Sequence, residues 1–341
     1  MNRTGGALAA GGAGATAGVA AALVISPALR RKVQRAGRFA QPLARGVAGP
    51  PLPPCLPAGR VINLPGRGEI FFRDSGGPAT LPAVLLLHGW TASADLNFFP
   101  AYAPLAAAYR VIAPDLRGHG RGMRTTEPFS LEDCADDAAA LLGLLGVSQV
   151  IAVGYSMGGP VAMLLAHRHP GMVAALVVQA TALDWHRGIR ERMAWRLLPA
   201  VELGLRLGAG AGFVDRVLRQ VVAEQPALMA YRPWLAAEFR RGLGGELASA
   251  GRALSRYDAG PWAGQLAVPA TMLITIGDRL VHPAKQRALA AALRAEVIEV
   301  AADHDLPLAS GAEYARLTRL LVDSAAAAAG LGPDGRTEPS R

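Results

Sequence analysis

Apolar runs rich in β-branched residues punctuate the chain from residue 83 onward. "AVLLLHGW" (83–90), "YRVIAPDLRGHG" (109–120), "QVIAVGYS" (149–156), "VAALVVQAT" (173–181), "TMLITIG" (271–277) and "AEVIEVA" (295–301) each read as a strand. Most lack polar alternation, which suits strands buried on both faces. "GEIFFRDSGG" (68–77) reads as a strand closing in a glycine turn. Between these runs the period changes to that of a helix. Residues 130–146 place Leu131, Cys134, Ala138, Leu141 and Leu145 on one stripe, and Ser130 with Asp133 forms a capping-box start. Residues 157–169, 284–293 and 312–328 are further helical stretches, with Pro160 tolerable in a first turn. Strand and helix alternate, which predicts an α/β fold: a mostly parallel central sheet with helices on both faces. Residues 184–260 break the alternation. They hold helical runs such as "RERMAWRLLPAVELGLRL" and "VDRVLRQVVAEQ" and no convincing strand, as expected of a helical cap inserted between strands.

Charge changes the picture at the N-terminus. Of 35 Lys and Arg, nine fall within residues 1–68, a stretch without Asp or Glu, which leaves 26 basic against 26 acidic residues in the body. The net charge of +9 therefore belongs to an arm, and no basic face implies a nucleic-acid partner. Residues 4–29 are uncharged, long enough to cross a bilayer, and are followed by "RRKVQRAGR". Sixteen of these 26 residues are Ala or Gly and only six are Leu, Ile or Val, which makes a weak span. The basic cluster after the apolar run predicts a membrane-associated chain with its C-terminal body on the cytoplasmic side; a secreted form with this segment cleaved and a soluble cytoplasmic form are the alternatives. The expected organisation is a membrane anchor at 1–29, a basic and Pro-rich linker at 30–59, a first core part at 60–183, the cap at 184–260, a second core part at 261–328 and a disordered tail at 329–341. Cys55 and Cys134 suggest neither a disulfide framework nor a metal site.

The chemistry centres on "GYSMGG" (154–159), where Ser156 stands between Gly154 and Gly158 at a strand-to-helix turn. Small residues on both sides permit a sharp turn that displays the serine at the carboxyl end of a strand. A serine hydroxyl needs a base, and the base needs an orienting group. Asp278 follows the strand run at 271–277 and His304 the run at 295–301, and they are the candidates for acid and base. Asp303 and Asp305 flank the histidine and compete as the acid, but sequence neighbours rarely face the correct ring nitrogen. His88 and His119 compete as the base. The N–H groups of Met157 and Trp90 are the expected oxyanion donors. Trp185, with Met193, Trp195 and Trp234, is either an acyl-pocket wall or core.

From about Arg60 to Ala327 the chain resembles the α/β-hydrolase superfamily, on His88-Gly89-Trp90, "DLRGHG" (115–120), "GYSMGG", Asp278 and His304 in the superfamily's order. It looks most like serine-nucleophile, lid-containing hydrolases of the actinobacterial esterase and lipase-like kind. The resemblance implies that His88 and His119 shape loops near the site, and it implies cleavage of an ester or related acyl bond through an acyl-serine, with a small-molecule substrate and no metal or organic cofactor. The same triad supports cofactor-free haloperoxidase or perhydrolase chemistry and carbon–carbon bond hydrolysis, and the fold also permits a catalytically silent, membrane-tethered binding protein.

Overall fold

The computed structural model describes Pro53 and residues 56–186, 188–204, 226–242 and 247–331. The expected anchor, the first cysteine, the helical run at 214–225 and the tail from residue 332 lie outside them. Among the described residues, no helix is long and apolar enough to cross a membrane.

Among the described residues eight strands form one sheet: β1 (Ala58–Leu64), β2 (Gly68–Asp74), β3 (Ala83–Leu87), β4 (Arg110–Pro114), β5 (Val150–Tyr155), β6 (Val173–Gln179), β7 (Ala270–Thr275) and β8 (Glu296–Val300). Their order is β1-β2-β4-β3-β5-β6-β7-β8. The β1–β2 and β2–β4 pairs are antiparallel and all others parallel. The sequence pattern did not reveal β1, because it is an edge strand, mostly exposed, with little apolar periodicity. It pairs with β2 through a tight turn at Gly66, whose φ of 72° favours glycine.

Among the described residues the α-helices are α1 (Ala94–Ala106), α2 (Leu131–Leu144), α3 (Gly158–Arg168), α4 (Ile189–Gly204), α5 (Arg232–Gly242), α6 (Leu247–Leu254), α7 (Pro283–Leu293), the single turn α8 (Leu306–Ala309) and α9 (Gly311–Ala328). The α2 start is as the pattern predicts: Ser130 Oγ accepts the Asp133 N–H at 2.9 Å. Helix α1 was hidden by Pro100 and Pro104. An interior proline costs a helix about 3 kcal/mol, and burial of Phe98, Ala101, Tyr102 and Leu105 offsets it. Along β3, Leu85 and Leu87 face one core layer while Val84 and Leu86 face the other. That is why the strand reads as apolar throughout.

The chain runs from β3 outward to β4 and then returns to β5 on the other side of β3, so β3 and β5 flank a topological switch point. Their carboxyl ends are where an open α/β sheet presents a site. Helices α4, α5 and α6 lie within the insertion between β6 and β7. Its two ends meet, with Asp184 bridging Asp258 and the Ala259 N–H donating to the Leu183 carbonyl at 2.8 Å. From α5, the buried Glu238 receives the Ser93 hydroxyl at 2.5 Å and lies 3.4 Å from Arg121, joining the insertion to the start of α1.

Several carboxyls carry stability that depends on pH. Burial pushes Asp95 up, but its bonds to Arg73 and Arg121 outweigh this and hold it below the usual range. Arg168 is the largest influence on partly buried Asp136, and with His169 it brings that group down from 3.8 to about 2. A lowered folded pKa means the unfolded chain binds protons more tightly, so this stabilisation is complete above the unfolded value and is lost as pH falls through the folded one. Stability, followed by circular dichroism in an acid titration, should therefore fall between pH 3.8 and about 2, and Asp136→Asn should reduce the slope in that window. An unchanged slope would remove Asp136 from this account.

Candidate active site

The β5–α3 turn is shaped by contacts that exclude side chains at its glycines. A Cβ at Gly154 would lie 2.3 Å from the Gly158 carbonyl oxygen, and one at Gly158 would lie 1.8 Å from the Leu87 oxygen. Ser156, between them, has φ 53°, in the left-handed region that L-residues avoid. Strain of this kind persists where the surroundings over-determine it. Here the Ser156 N–H donates to Gln179 O and its carbonyl accepts from the Gly159 N–H, both at 2.9 Å. The serine thereby stands at the N-terminus of α3, where the helix field favours negative charge.

Two downstream loops meet it. Asp278 follows β7 and His304 follows β8. His304 Nε2 lies 3.0 Å from Ser156 Oγ, and Nδ1 lies 2.8 Å from Asp278 Oδ2. With the proton on Nδ1 donated to the carboxylate, the Nε2 lone pair faces the serine. The Asp278 side chain is fully buried. Its Oδ1 accepts the N–H groups of Leu280 and Val281, both at 2.8 Å, and its Oδ2 accepts the Thr275 hydroxyl at 2.8 Å and the Gln286 amide at 3.1 Å. Thr275 and Gln286 carried no signal in the sequence, since only the fold brings α7 beneath the acid.

Met157 follows Ser156 at the start of α3, and Trp90 lies in the loop after β3. Within the β3 loop, Gly89 donates its N–H to Asn97 Oδ1 at 2.8 Å, and a Cβ on Gly89 would meet Ser156 Cβ at 3.3 Å. Asn97, on α1, was not singled out by sequence because α1 itself was not. The Trp90 ring packs 5.6 Å from Trp195 of α4, and Gly251 of α6 leaves room for it, 3.0 Å from where its Cβ would be. Trp185 is buried in the core, and its carbonyl accepts the Trp195 indole N–H at 2.6 Å. Trp234 is buried against Phe99, and Met193 is exposed on α4.

The competing histidines are committed elsewhere. His88 donates from Nδ1 to Gly89 O at 2.8 Å and accepts the Leu116 N–H at Nε2 at 2.9 Å; burial lowers its pKa. His119 donates from Nδ1 to Arg117 O, and burial, then the neighbouring His88, pushes it down to about 3. Both are neutral braces of the loops around Ser156. Asp303 binds Arg279 rather than the imidazole. Cys134 is buried, and burial raises its thiol well above the ordinary range. Among the described residues, no group of three or more His, Cys, Asp or Glu is arranged to hold a metal ion.

This architecture defines a class, and sequence comparison agrees with it. The model for the alpha/beta hydrolase fold matches residues 82–308, and the chain belongs to that family. A bifunctional esterase/perhydrolase of Acinetobacter calcoaceticus is 34% identical over 120 residues, covering 34% of this chain and 41% of the relative. A non-heme chloroperoxidase of Streptomyces lividans is 39% identical over 116 residues, covering 32% and 40%. The chain thus spans only about two fifths of the length of these curated relatives. Among solved structures, an enol-lactonase from Burkholderia xenovorans superposes with a TM-score of 0.65 at 22% identity, over 76% of this chain and 98% of that one. An esterase from Exiguobacterium antarcticum superposes at 0.67 and 17%, over 78% and 100%. At these identities the structural likeness concerns the fold.

Proposed function

We propose that the chain hydrolyses an ester or related acyl bond of a small-molecule substrate through an acyl-serine intermediate. One observation carries the reading: Ser156 Oγ, the His304 ring and Asp278 form an unbroken hydrogen-bonded series on a turn strained to present the serine. Ser156 Oγ attacks the acyl carbon as its proton passes to His304 Nε2. The tetrahedral oxyanion is met by the N–H groups of Met157 and Trp90. His304 returns the proton to the departing alkoxide, leaving the acyl-serine. Water then attacks this intermediate with His304 as base, the acid leaves and Ser156 is restored. Asp278 remains ionised and stabilises the transient imidazolium. No step calls on a metal or organic cofactor.

A perhydrolase reading differs only in the last nucleophile, with hydrogen peroxide in place of water and a peracid as product. The name of the Acinetobacter relative supports keeping it. The membrane anchor remains a proposal resting on the sequence of residues 4–29.

A panel of p-nitrophenyl esters of graded acyl length tests the reaction class. Wild-type turnover of at least one member, and its loss in Ser156→Ala, are expected. Undiminished turnover by the alanine variant would refute the assignment. Peracid formed on adding peroxide would identify the second reading.

A further inference from the structure

We infer that Tyr155 and Asp303 are positioning residues that grip the His304 main chain at its carbonyl and its N–H, tying the histidine to the chain segments that carry the serine and the acid. The inference rests on the triad reading above. A ring bonded at both nitrogens is only as well placed as its backbone, and His304 lies in a loop beyond β8, outside the ladder of the sheet. Its two main-chain groups are nonetheless both taken by side chains. The Tyr155 hydroxyl donates to His304 O at 2.8 Å, and the His304 N–H donates to Asp303 Oδ1 at 2.7 Å.

Each grip runs back to a neighbour of another triad member. Tyr155 is the last residue of β5 and precedes Ser156. Its ring is buried, 5.6 Å from the His304 ring and edge-on to Tyr314, and burial pushes its hydroxyl well above the ordinary range, so it stays a donor. Asp303 also accepts the Arg279 main-chain N–H at 3.0 Å on Oδ1, and the Arg279 guanidinium at 2.6 Å and 2.5 Å on Oδ2. Arg279 follows Asp278. Asp303 thus bridges the N–H of the residue after the acid to the N–H of the base. Burial raises its carboxyl, but the bonds from Arg279 and His304 outweigh this and hold it below the usual range. The ion pair is too exposed, with Arg279 at 60%, to add much stability. What it fixes is distance: a misplacement of about 1 Å at a reacting group can cost on the order of 10²-fold in rate.

The test measures kcat and KM on a p-nitrophenyl ester, the rate of fluorophosphonate labelling of Ser156, and Tm, for Tyr155→Phe, Asp303→Ala, Asp303→Asn and Arg279→Ala. Tyr155→Phe and Asp303→Ala should each lower kcat and the labelling rate by roughly 10- to 100-fold with KM within about twofold. Asp303→Asn keeps an oxygen for both N–H groups and should recover to within about threefold of wild type. Arg279→Ala keeps its own N–H and should fall between; at an exposed site it carries the test if Asp303→Ala does not fold. The double variant Tyr155→Phe/Asp303→Ala should lose less than the product of the single losses, because both act on one ring. Wild-type rates in Tyr155→Phe and in the Asp303 or Arg279 alanine variant, or losses that only track the unfolded fraction, would overturn the inference while labelling of wild-type Ser156 left the triad standing. Asp303→Asn as impaired as Asp303→Ala would also overturn it. An unlabelled wild type would bring down both readings.

Discussion

His304→Ala and Asp278→Asn are each expected to lower kcat by roughly 10⁴-fold, the scale of loss in such triads. The two losses have different causes. Without the imidazole, nothing removes the serine proton. The asparagine acts through the tautomer. Asp278 is surrounded by donors: the N–H groups of Leu280 and Val281 on one oxygen, and the Thr275 hydroxyl, the Gln286 amide and His304 Nδ1 on the other. Asparagine can satisfy the two main-chain groups only by turning its NH₂ toward His304. Nδ1 then accepts, the ring proton moves to Nε2, and the lone pair that faces Ser156 is lost. Steady-state kinetics with Tm measured alongside checks this. Near-wild-type turnover in Asp278→Asn, with a deep loss in Asp303→Asn, would transfer the acid's role to Asp303.

The largest effect on stability is expected at Gly158. Alanine there places a Cβ 1.8 Å from the Leu87 carbonyl oxygen, on a strand locked between two others, so neither side can yield. Overpacking of a rigid site costs roughly 1–3 kcal/mol and more where backbone meets backbone, so a loss of at least about 3 kcal/mol is expected. Gly154→Ala, at 2.3 Å from the Gly158 oxygen, should behave similarly. Gly143→Ala is the control. It lies in α2 with nothing within 4 Å, and replacing a helical glycine there should stabilise by up to about 1 kcal/mol. Urea unfolding of the three variants gives the order. A Gly158→Ala protein as stable as wild type would mean that the elbow does not need its glycines for packing.

The same contacts explain why the elbow was legible in sequence. Close approach of β5, α3 and β3 demands glycine at fixed offsets around Ser156, and that demand is written in the residues themselves. The buried parallel strands were legible because both faces are apolar. Legibility failed where tertiary context decides. β1 is an exposed edge strand with no pattern, and α1 survives two prolines through the burial of Phe98 and Tyr102. With α1 unseen, Asn97 had no reason to stand out. Asp303 was visible only as a rival to Asp278, because its bridge from the His304 N–H to Arg279 joins two separate loops that only the fold brings together. The tryptophans were ambiguous for the opposite reason: apolar rings suit a core and a pocket equally, and here Trp185 is buried while Trp195 packs against Trp90.

The central claim is that Ser156 is a nucleophile activated by His304. Treating the full-length protein with a fluorophosphonate and mapping the adduct by peptide mass spectrometry tests it most directly. The account predicts one stoichiometric adduct on Ser156, formed far more slowly in His304→Ala and absent in Ser156→Ala. An adduct on another serine, or none on a protein that still turns over p-nitrophenyl esters, would contradict it.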